Sequence, residues 1–214
     1  GVLRLGGGVE LRGMAGPARV SDFAYLTQSS CSTLPGQDEA AAFDTTVSAM
    51  QAFNMPDGEI SEVLGVIAAI LHIGNVAFEA PKNNSEGSRV VSHEDGGPLA
   101  KFCALVGVKA ELLDIALCTS ELKVHDGSSG TPRRQSISTH RTLAQAVDGR
   151  DALARHLYSA VFAFIVKRVN TVLSAQTDAG GKLRRQASNA FIGVLDIFGF
   201  ESFPENSFEQ LCIN

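Results

Sequence analysis

The sequence lacks paired cysteines. Its four cysteines are widely separated, and none belongs to a Cys-x-x-Cys pair: they are Cys31, Cys103, Cys118 and Cys212. Zinc sites and disulfide frameworks both need closely or regularly spaced cysteines, so this spacing argues against both kinds of site. Free thiols are typical of proteins from a reducing compartment, and the sequence therefore predicts a cytoplasmic protein.

Long hydrophobic runs are also absent. No window approaches the roughly 20 apolar residues that a membrane-spanning helix needs, and the apolar stretch at the N-terminus is too short for a signal peptide. The net charge of −5 is mild, so neither nucleic acid nor an acidic membrane is indicated as a partner. The chain begins without methionine and stops in the apparent first turns of a helix, FEQLCIN, from which we expect a fragment of a longer protein.

The apolar residues that are present, 44% of the chain, are enough to build a core. Several segments repeat them at the spacing of three and four that indicates amphipathic helices. These predicted helices are 38–55 with Phe43, Val47, Met50 and Phe53 inward, 60–72 with Val63, Val66/Ile67 and Ile70/Leu71 inward, a pair over 96–108 and 109–122, and a long helix over 151–176. The sequence thus predicts a helix-dominated α/β fold, with Gly74 as a helix cap.

Two polar segments are predicted to be loops. Residues 81–89, PKNNSEGSR, are rich in turn-forming side chains and should lie at the surface. Residues 125–142 are rich in Gly and Ser and then basic, with no apolar period, which indicates an exposed loop carrying Arg133, Arg134 and Ser136.

Residues 191–203, FIGVLDIFGFESF, place acidic side chains directly after an apolar run. The run 191–195 is typical of a strand buried on both faces. Ligands of open α/β sheets bind beyond the carboxyl ends of strands, where Asp196 could hold a Mg²⁺-bound water and the Gly199 N–H could donate to a phosphate. Glu201 could pair with an arginine across such a pocket. The alternative interpretation is a buried strand that ends in an ordinary polar turn.

A helix is predicted to begin directly behind this turn. Asn206 suits the N-cap position, and Glu209 follows three residues later, as in a capping box. A phosphate-sensing turn joined directly to a helix is an arrangement suited to a conformational switch.

These residues carry a resemblance to a known family. IGVLDIFGFESFPENSFEQLCIN resembles the switch II loop and the start of the relay helix of myosin motor domains. DFAYLTQSSC resembles another block of that family, with Thr27 where asparagine is usual, and VIAAILHIGNVAF and RDALARHLYSAVFAFIVKRVN resemble two more. The blocks follow the family's order from about residue 22 to residue 214, so the resemblance extends over almost the whole chain.

The resemblance implies specific roles. Asp196 would hold a water of the Mg²⁺ shell of ATP, and the Gly199 amide would donate to the γ-phosphate. Glu201 would form a salt bridge with a switch I arginine, and closure of the pocket would tilt the relay helix that begins near Asn206. Residues 22–125 would be helices of the upper 50 kDa subdomain, within an actin-activated ATPase of the actin cytoskeleton.

Two elements of that family's nucleotide pocket are absent from this sequence. No lysine stands in a GxxxxGK[ST] setting, and residues 81–89 follow the LHIGN block, whereas switch I should precede it. The 214 residues alone are therefore not expected to bind ATP tightly or to act as an enzyme. A truncated, non-catalytic actin-binding or scaffold product remains the alternative, and a P-loop upstream in the same polypeptide would distinguish the two.

The family's loop at 125–142 is implied to contact the actin filament, and some of its classes carry a phosphorylation site about sixteen residues before the DALA block. Gln135 occupies that spacing, and Ser136 is one residue away. Because Ser136 follows Arg133 and Arg134, a basophilic kinase could favour it, and a phosphate would add nearly two negative charges to the loop. A solvated loop with chance arginines is an equal alternative.

Overall fold

The computed structural model describes residues 2–4, 10–12, 19–29, 31, 35–82, 86–125, 134–173, 175–177, 183–185, 205 and 207–213. Its helices are α1 (Glu39–Ala52), α2 (Asp57–Gly74), α3 (Pro98–Val106), α4 (Ala110–Cys118), α5 (Leu143–Leu173) and α6 (Phe208–Ile213). Its strands are β1 (Val2–Arg4), β2 (Glu10–Arg12), β3 (Phe78–Glu79), β4 (Arg89–Val90), β5 (Thr119–His125), β6 (Arg134–His140), β7 (Ala175–Thr177) and β8 (Leu183–Arg185). Successive strands pair antiparallel as β1–β2, β3–β4, β5–β6 and β7–β8. The helix-dominated α/β prediction is confirmed.

The chain divides into two compact units, Gly1–Leu173 and Ser174–Asn214. The first unit contains α1 to α5 and holds the core. The second contains the described pair β7–β8 and helix α6. No helix in the described part of the chain is long and apolar enough to cross a membrane.

Helix α1 forms where the sequence predicted it. The Asp38 side chain caps it by accepting hydrogen bonds from two backbone N–H groups of the first turn. Val47 is buried, and Phe43 and Met50 pack beside it, as the helical period predicted. Together with three residues of the following turn and helix they make a small cluster, whose other members are Met55, Ile60 and Leu64.

The main core lies between α2, α3, α4 and α5. Its buried residues are Ala69, Ile73, Val76, Val90, Leu99, Phe102, Cys103, Leu113, Leu117, Cys118 and Ala154. The large helical side chains come from α2, α3 and α4, whereas α5 contributes a buried alanine. A small residue at that point allows the helix backbones to approach closely, and the apolar area removed from water stabilises the unit.

The predicted inward face of α2 is only partly correct. Val63 is buried, but Val66, Ile67, Ile70 and Leu71 are half-exposed. The residues buried instead include Ile60, Leu64, Ala68 and Ala69. This helix is apolar on nearly every side, so its own pattern could not select the face on which α3 and α5 pack.

The long helix was predicted over 151–176 and is observed at Leu143–Leu173. It begins earlier because Thr142 and Gln145 cap it reciprocally. The Thr142 N–H donates to Gln145 Oε1 at 3.0 Å, and the Gln145 N–H donates to Thr142 Oγ1 at 3.3 Å. Residues 175–177 belong to β7 rather than to the helix.

The loop predicted over 125–142 is wrong for the residues from 134 to 140. They form β6, which pairs with β5 in a register that places Lys123 opposite Ser136 and His125 opposite Arg134. The helix predicted over 109–122 accordingly ends at Cys118. Sequence analysis missed this hairpin because β5 directly follows a helix, and the segment that forms β6 shows no apolar period. The last residues of β6, 138–140, are exposed, as expected of a surface segment.

Candidate functional site

The residues predicted to sense nucleotide lie outside the described part of the chain. These are Asp196, Gly199 and Glu201, together with the predicted strand 191–195 and the predicted cap Asn206. Glu209 is described, and it lies exposed in α6. The prediction of a helix behind the turn is confirmed over Phe208–Ile213, whereas its assignment as a relay helix stays a prediction.

Of the basic residues predicted to contact actin, Arg133 lies outside the described residues. Arg134 and Ser136 lie on β6, two positions apart on one strand.

The structure instead brings together three polar side chains that sequence analysis had not assigned. The Tyr25 hydroxyl donates to Asp151 Oδ1 at 2.5 Å, although the two residues are 126 positions apart. Arg150 Nε donates to the same oxygen at 2.8 Å, and Arg150 Nη1 donates to the Val76 carbonyl at 2.9 Å. The guanidinium carbon of Arg150 lies 5.8 Å from the centroid of the Tyr25 ring. We call Tyr25, Arg150 and Asp151 the polar junction.

Asn75 forms two hydrogen bonds with the backbone of residues 22–24, directly before Tyr25. Its Oδ1 accepts from the Ala24 N–H at 2.7 Å, and its Nδ2 donates to the Asp22 carbonyl at 2.6 Å. Next to this contact, the buried Phe23 ring meets the His72 ring edge to face at 5.6 Å. His72 itself is buried.

Gly74 was predicted to be a C-terminal cap, and this is wrong. It is the last residue of α2, and Asn75 is the cap, with a right-handed backbone. A β-carbon at Gly74 would lie 2.7 to 2.9 Å from three atoms of the Tyr25 ring. The glycine is therefore needed for close approach of that ring rather than for helix termination.

The electrostatics of the junction favour a charged carboxylate and a neutral phenol. Burial alone would raise the pKa of Asp151, but hydrogen bonds from Arg150 and Tyr25 outweigh it, and the pKa lies below its ordinary value. Burial and the neighbouring carboxylate raise the pKa of Tyr25 to about 12. The phenol thus stays protonated at neutral pH and keeps its hydrogen bond to Asp151.

We expect the Tyr25 phenol to titrate in a spectroscopic measurement well above the ordinary range. The folded pKa is raised above the unfolded value of 10.0, so the stabilisation is full below pH 10 and is lost as the pH rises through about 12. Tyrosinate absorbance should show a step near pH 12 in the wild-type chain. Tyr25→Phe should remove that step, leaving Tyr158, the other tyrosine of the sequence. A step from Tyr25 near pH 10 in the folded chain would contradict the geometry of the junction.

The junction joins three of the quoted sequence blocks: DFAYLTQSSC, VIAAILHIGNVAF and RDALARHLYS. The hydrogen bonds of the junction hold together three segments that are distant in the sequence. The myosin head (motor domain) family matches residues 11–214. This chain belongs to the myosin motor-domain family.

Individual relatives agree with that family. The chain is 33% identical over 208 residues to the myosin-H heavy chain of Dictyostelium discoideum, covering 92% of this chain and 11% of that protein. It is 37% identical over 194 residues to unconventional myosin-Ib of Homo sapiens, covering 91% of this chain and 16% of that protein. It is 36% identical over 205 residues to myosin-1 of Coprinopsis cinerea, covering 96% of this chain and 14% of that protein. The chain thus spans less than a fifth of the length of these relatives.

Proposed function

We propose that this chain is part of an actin-based cytoskeletal motor that couples ATP binding and hydrolysis to filament binding and movement. The observation that carries the proposal is the myosin head match, which extends to residue 214 and so includes FIGVLDIFGFESF. The working location would be the actin cytoskeleton of the cytoplasm. The three relatives described above each match over nine-tenths of this chain and are named myosins, which supports the same class of protein.

Within that function, residues 191–201 would act as switch II. Asp196 would hold a Mg²⁺-bound water, Gly199 would donate its amide to the γ-phosphate, and Glu201 would pair with an arginine supplied elsewhere in the polypeptide. Oxygen ligands and backbone amides are the groups that Mg²⁺ and phosphate require. The helix over Phe208–Ile213 supports a direct mechanical connection behind this loop.

ATP and Mg²⁺ would be used by the whole motor, not by these 214 residues alone. A GxxxxGK[ST] cradle supplies the backbone N–H groups and the lysine that bind the β- and γ-phosphates, and the sequence contains no such motif. The proposal therefore assigns the chain one part of a shared pocket, with the remainder of the motor domain as its first partner.

Helix α5 supports that partnership. Four large apolar side chains repeat on one side of it and are 41 to 65% exposed: Tyr158, Phe162, Val166 and Leu173. Their spacing of four, four and seven residues keeps them on one side of the helix, next to the side that packs on α2. A continuous exposed apolar stripe is typical of a surface that another element covers. The remainder of the motor domain would provide that cover.

The β5–β6 hairpin would contact the actin filament. Its predicted contacts are Arg133, Arg134 and Ser136, with Ser136 as the substrate of a basophilic kinase. The register pairs Ser136 with Lys123, and Arg134 lies two residues away in the sequence, so basic residues are neighbours of this position in pairing and in sequence. Phosphorylation would then change the sign of the local charge that meets the filament.

The proposal is tested on the polypeptide as its own cells express it, captured with an antibody to the predicted surface segment 81–89. We expect a species several times larger than 22.6 kDa that sediments with actin filaments and is released by ATP. Asp196→Asn should abolish ATP-dependent release while leaving filament binding in the absence of nucleotide. Asp178→Asn, outside the resembling blocks, is the matched control and should release normally. A species of 22.6 kDa alone that binds filaments without any response to ATP would favour the non-catalytic scaffold instead.

A further inference from the structure

The β5–β6 hairpin is joined to α5 by a very short connection. β6 ends at His140 and α5 begins at Leu143, so only residues 141 and 142 lie between them. The Arg141 N–H donates to the Cys118 carbonyl at 2.9 Å, which closes the base of the hairpin against the end of α4. Residue 141 therefore stands where α4, the hairpin and α5 meet.

The Arg141 side chain lies against α5 at a glycine. A β-carbon at Gly149 would lie 2.8 Å from Arg141 Nη1, which is shorter than real carbon contacts allow. Around this contact is an open cleft of about 390 Å³ between the hairpin and the helix, lined by Ser120, Arg141, Gln145, Asp148, Gly149 and Ala152. In its observed position the guanidinium occupies the space that a side chain at position 149 would take.

Helix stability does not explain a glycine at this position. Gly149 lies in the interior of α5, where its backbone is helical and a residue such as alanine would be more favourable. Gly65 of α2 is in a comparable helical setting, but a β-carbon there would meet nothing within 4 Å. Gly65 is buried and Gly149 only partly buried, and of the two only Gly149 has an arginine lying across it.

We propose that Gly149 and Arg141 are positioning residues that set the direction in which the β5–β6 hairpin leaves α5. Arg141 is tied to Cys118 through its backbone and rests on Gly149 through its side chain, so its position relates the hairpin to the long helix. If the hairpin contacts actin, as proposed above, this docking contact controls filament affinity from a distance. The expected effect on filament affinity rests on that proposed function. The contact between Arg141 and Gly149 can be measured separately.

The test is Gly149→Ala in the polypeptide as its cells express it. The alanine displaces the end of Arg141, a flexible group that can move, so the fold is retained. We expect the affinity for actin filaments to fall about five- to tenfold, which is the usual range for a remote change in coupling. Peptides covering 119–142 should lose protection from amide hydrogen exchange, because the hydrogen bond from Arg141 to Cys118 opens more often. Gly65→Ala is the matched control and should change neither quantity.

A double-mutant cycle separates positioning from a general effect on the helix. Once Arg141→Ala has removed the side chain, Gly149→Ala should cause no further loss of affinity or of protection. Equal losses in both backgrounds would overturn the inference, as would unchanged exchange in Gly149→Ala alone. If the wild-type polypeptide does not bind filaments at all, the proposed actin contact fails. The hydrogen-exchange measurement then tests by itself whether the contact between Arg141 and Gly149 positions the hairpin.

Discussion

Replacing Gly74 by alanine is expected to lower the free energy of unfolding by about 2 kcal/mol, although alanine is the better helix former. The new β-carbon would meet the Tyr25 ring at 2.7 to 2.9 Å. That ring cannot move aside easily, because its hydroxyl is hydrogen-bonded to Asp151. Overpacking costs about 1–3 kcal/mol, and the propensity gain of about 1 kcal/mol holds for helix interiors and is smaller at Gly74, the last residue of α2, so the substitution is destabilising. The midpoint of thermal unfolding should fall by about 4–8 °C.

Gly65→Ala on the same helix provides the comparison. No atom lies within 4 Å of a β-carbon at that position, so the helix-propensity gain should appear alone and stability should stay level or rise slightly. Combining Gly74→Ala with Tyr25→Leu should recover part of the loss, because the obstructing ring is gone. A Gly74→Ala chain as stable as the Gly65→Ala chain would refute the close approach of Tyr25.

Removing the Asp151 carboxylate is the second change for which we expect a large effect. Asp151→Ala should destabilise the unit by about 2–4 kcal/mol, since breaking a partly buried ion pair leaves the other charge without compensation. The Arg150 side chain is only 15% exposed, and the Tyr25 hydroxyl loses its acceptor at the same time. Asp151→Asn retains an acceptor oxygen and should cost about half as much, because hydrogen bonds to charged groups are roughly twice as strong as neutral ones.

The stability lost on replacing Asp151 should also depend on pH. The folded pKa of Asp151 lies below its ordinary value of 3.8, so the carboxylate stabilises the fold above pH 3.8 and loses this contribution as the pH falls through the folded pKa. The free energies of unfolding of wild type and Asp151→Asn should therefore converge at acidic pH. Denaturant unfolding of both proteins at neutral and acidic pH measures this. Asp44→Ala, an exposed aspartate of α1, should stay within about 0.5 kcal/mol at either pH. A neutral-pH loss as small as that of Asp44→Ala would mean that the junction contributes nothing to stability.

Local patterns explain which parts of the fold sequence analysis could predict. Helix α1 has one apolar face and a capping aspartate, so its position and its buried Val47 followed from spacing alone. Helix α2 is apolar nearly all round, and its packed face depended on where α3 and α5 lie. The β5–β6 pair was missed because its partners, such as Lys123 and Ser136, lie on separate segments, and pairing between them leaves no local signal.

The candidate sites also differ in how far the sequence could predict them. The motif FIGVLDIFGFESF suggested Asp196, Gly199 and Glu201 from sequence, and their roles remain predictions because they lie outside the described residues. The polar junction could not be predicted from motif chemistry, since a lone tyrosine and an Arg-Asp pair have no distinctive spacing. The available signal was that Tyr25, Asn75 and Asp151 each fall within a block that resembles the same family.

The sequence by itself determined the family, the helix-dominated class and the order of the main helices, because family motifs and helical periodicity are properties of adjacent residues. Only the tertiary structure decided that Tyr25 meets Asp151 across 126 positions, and that Gly74 and Gly149 are spaces for a ring and a guanidinium. Such contacts depend on how several helices pack at once. A glycine in a sequence does not reveal which distant side chain will occupy the space it leaves.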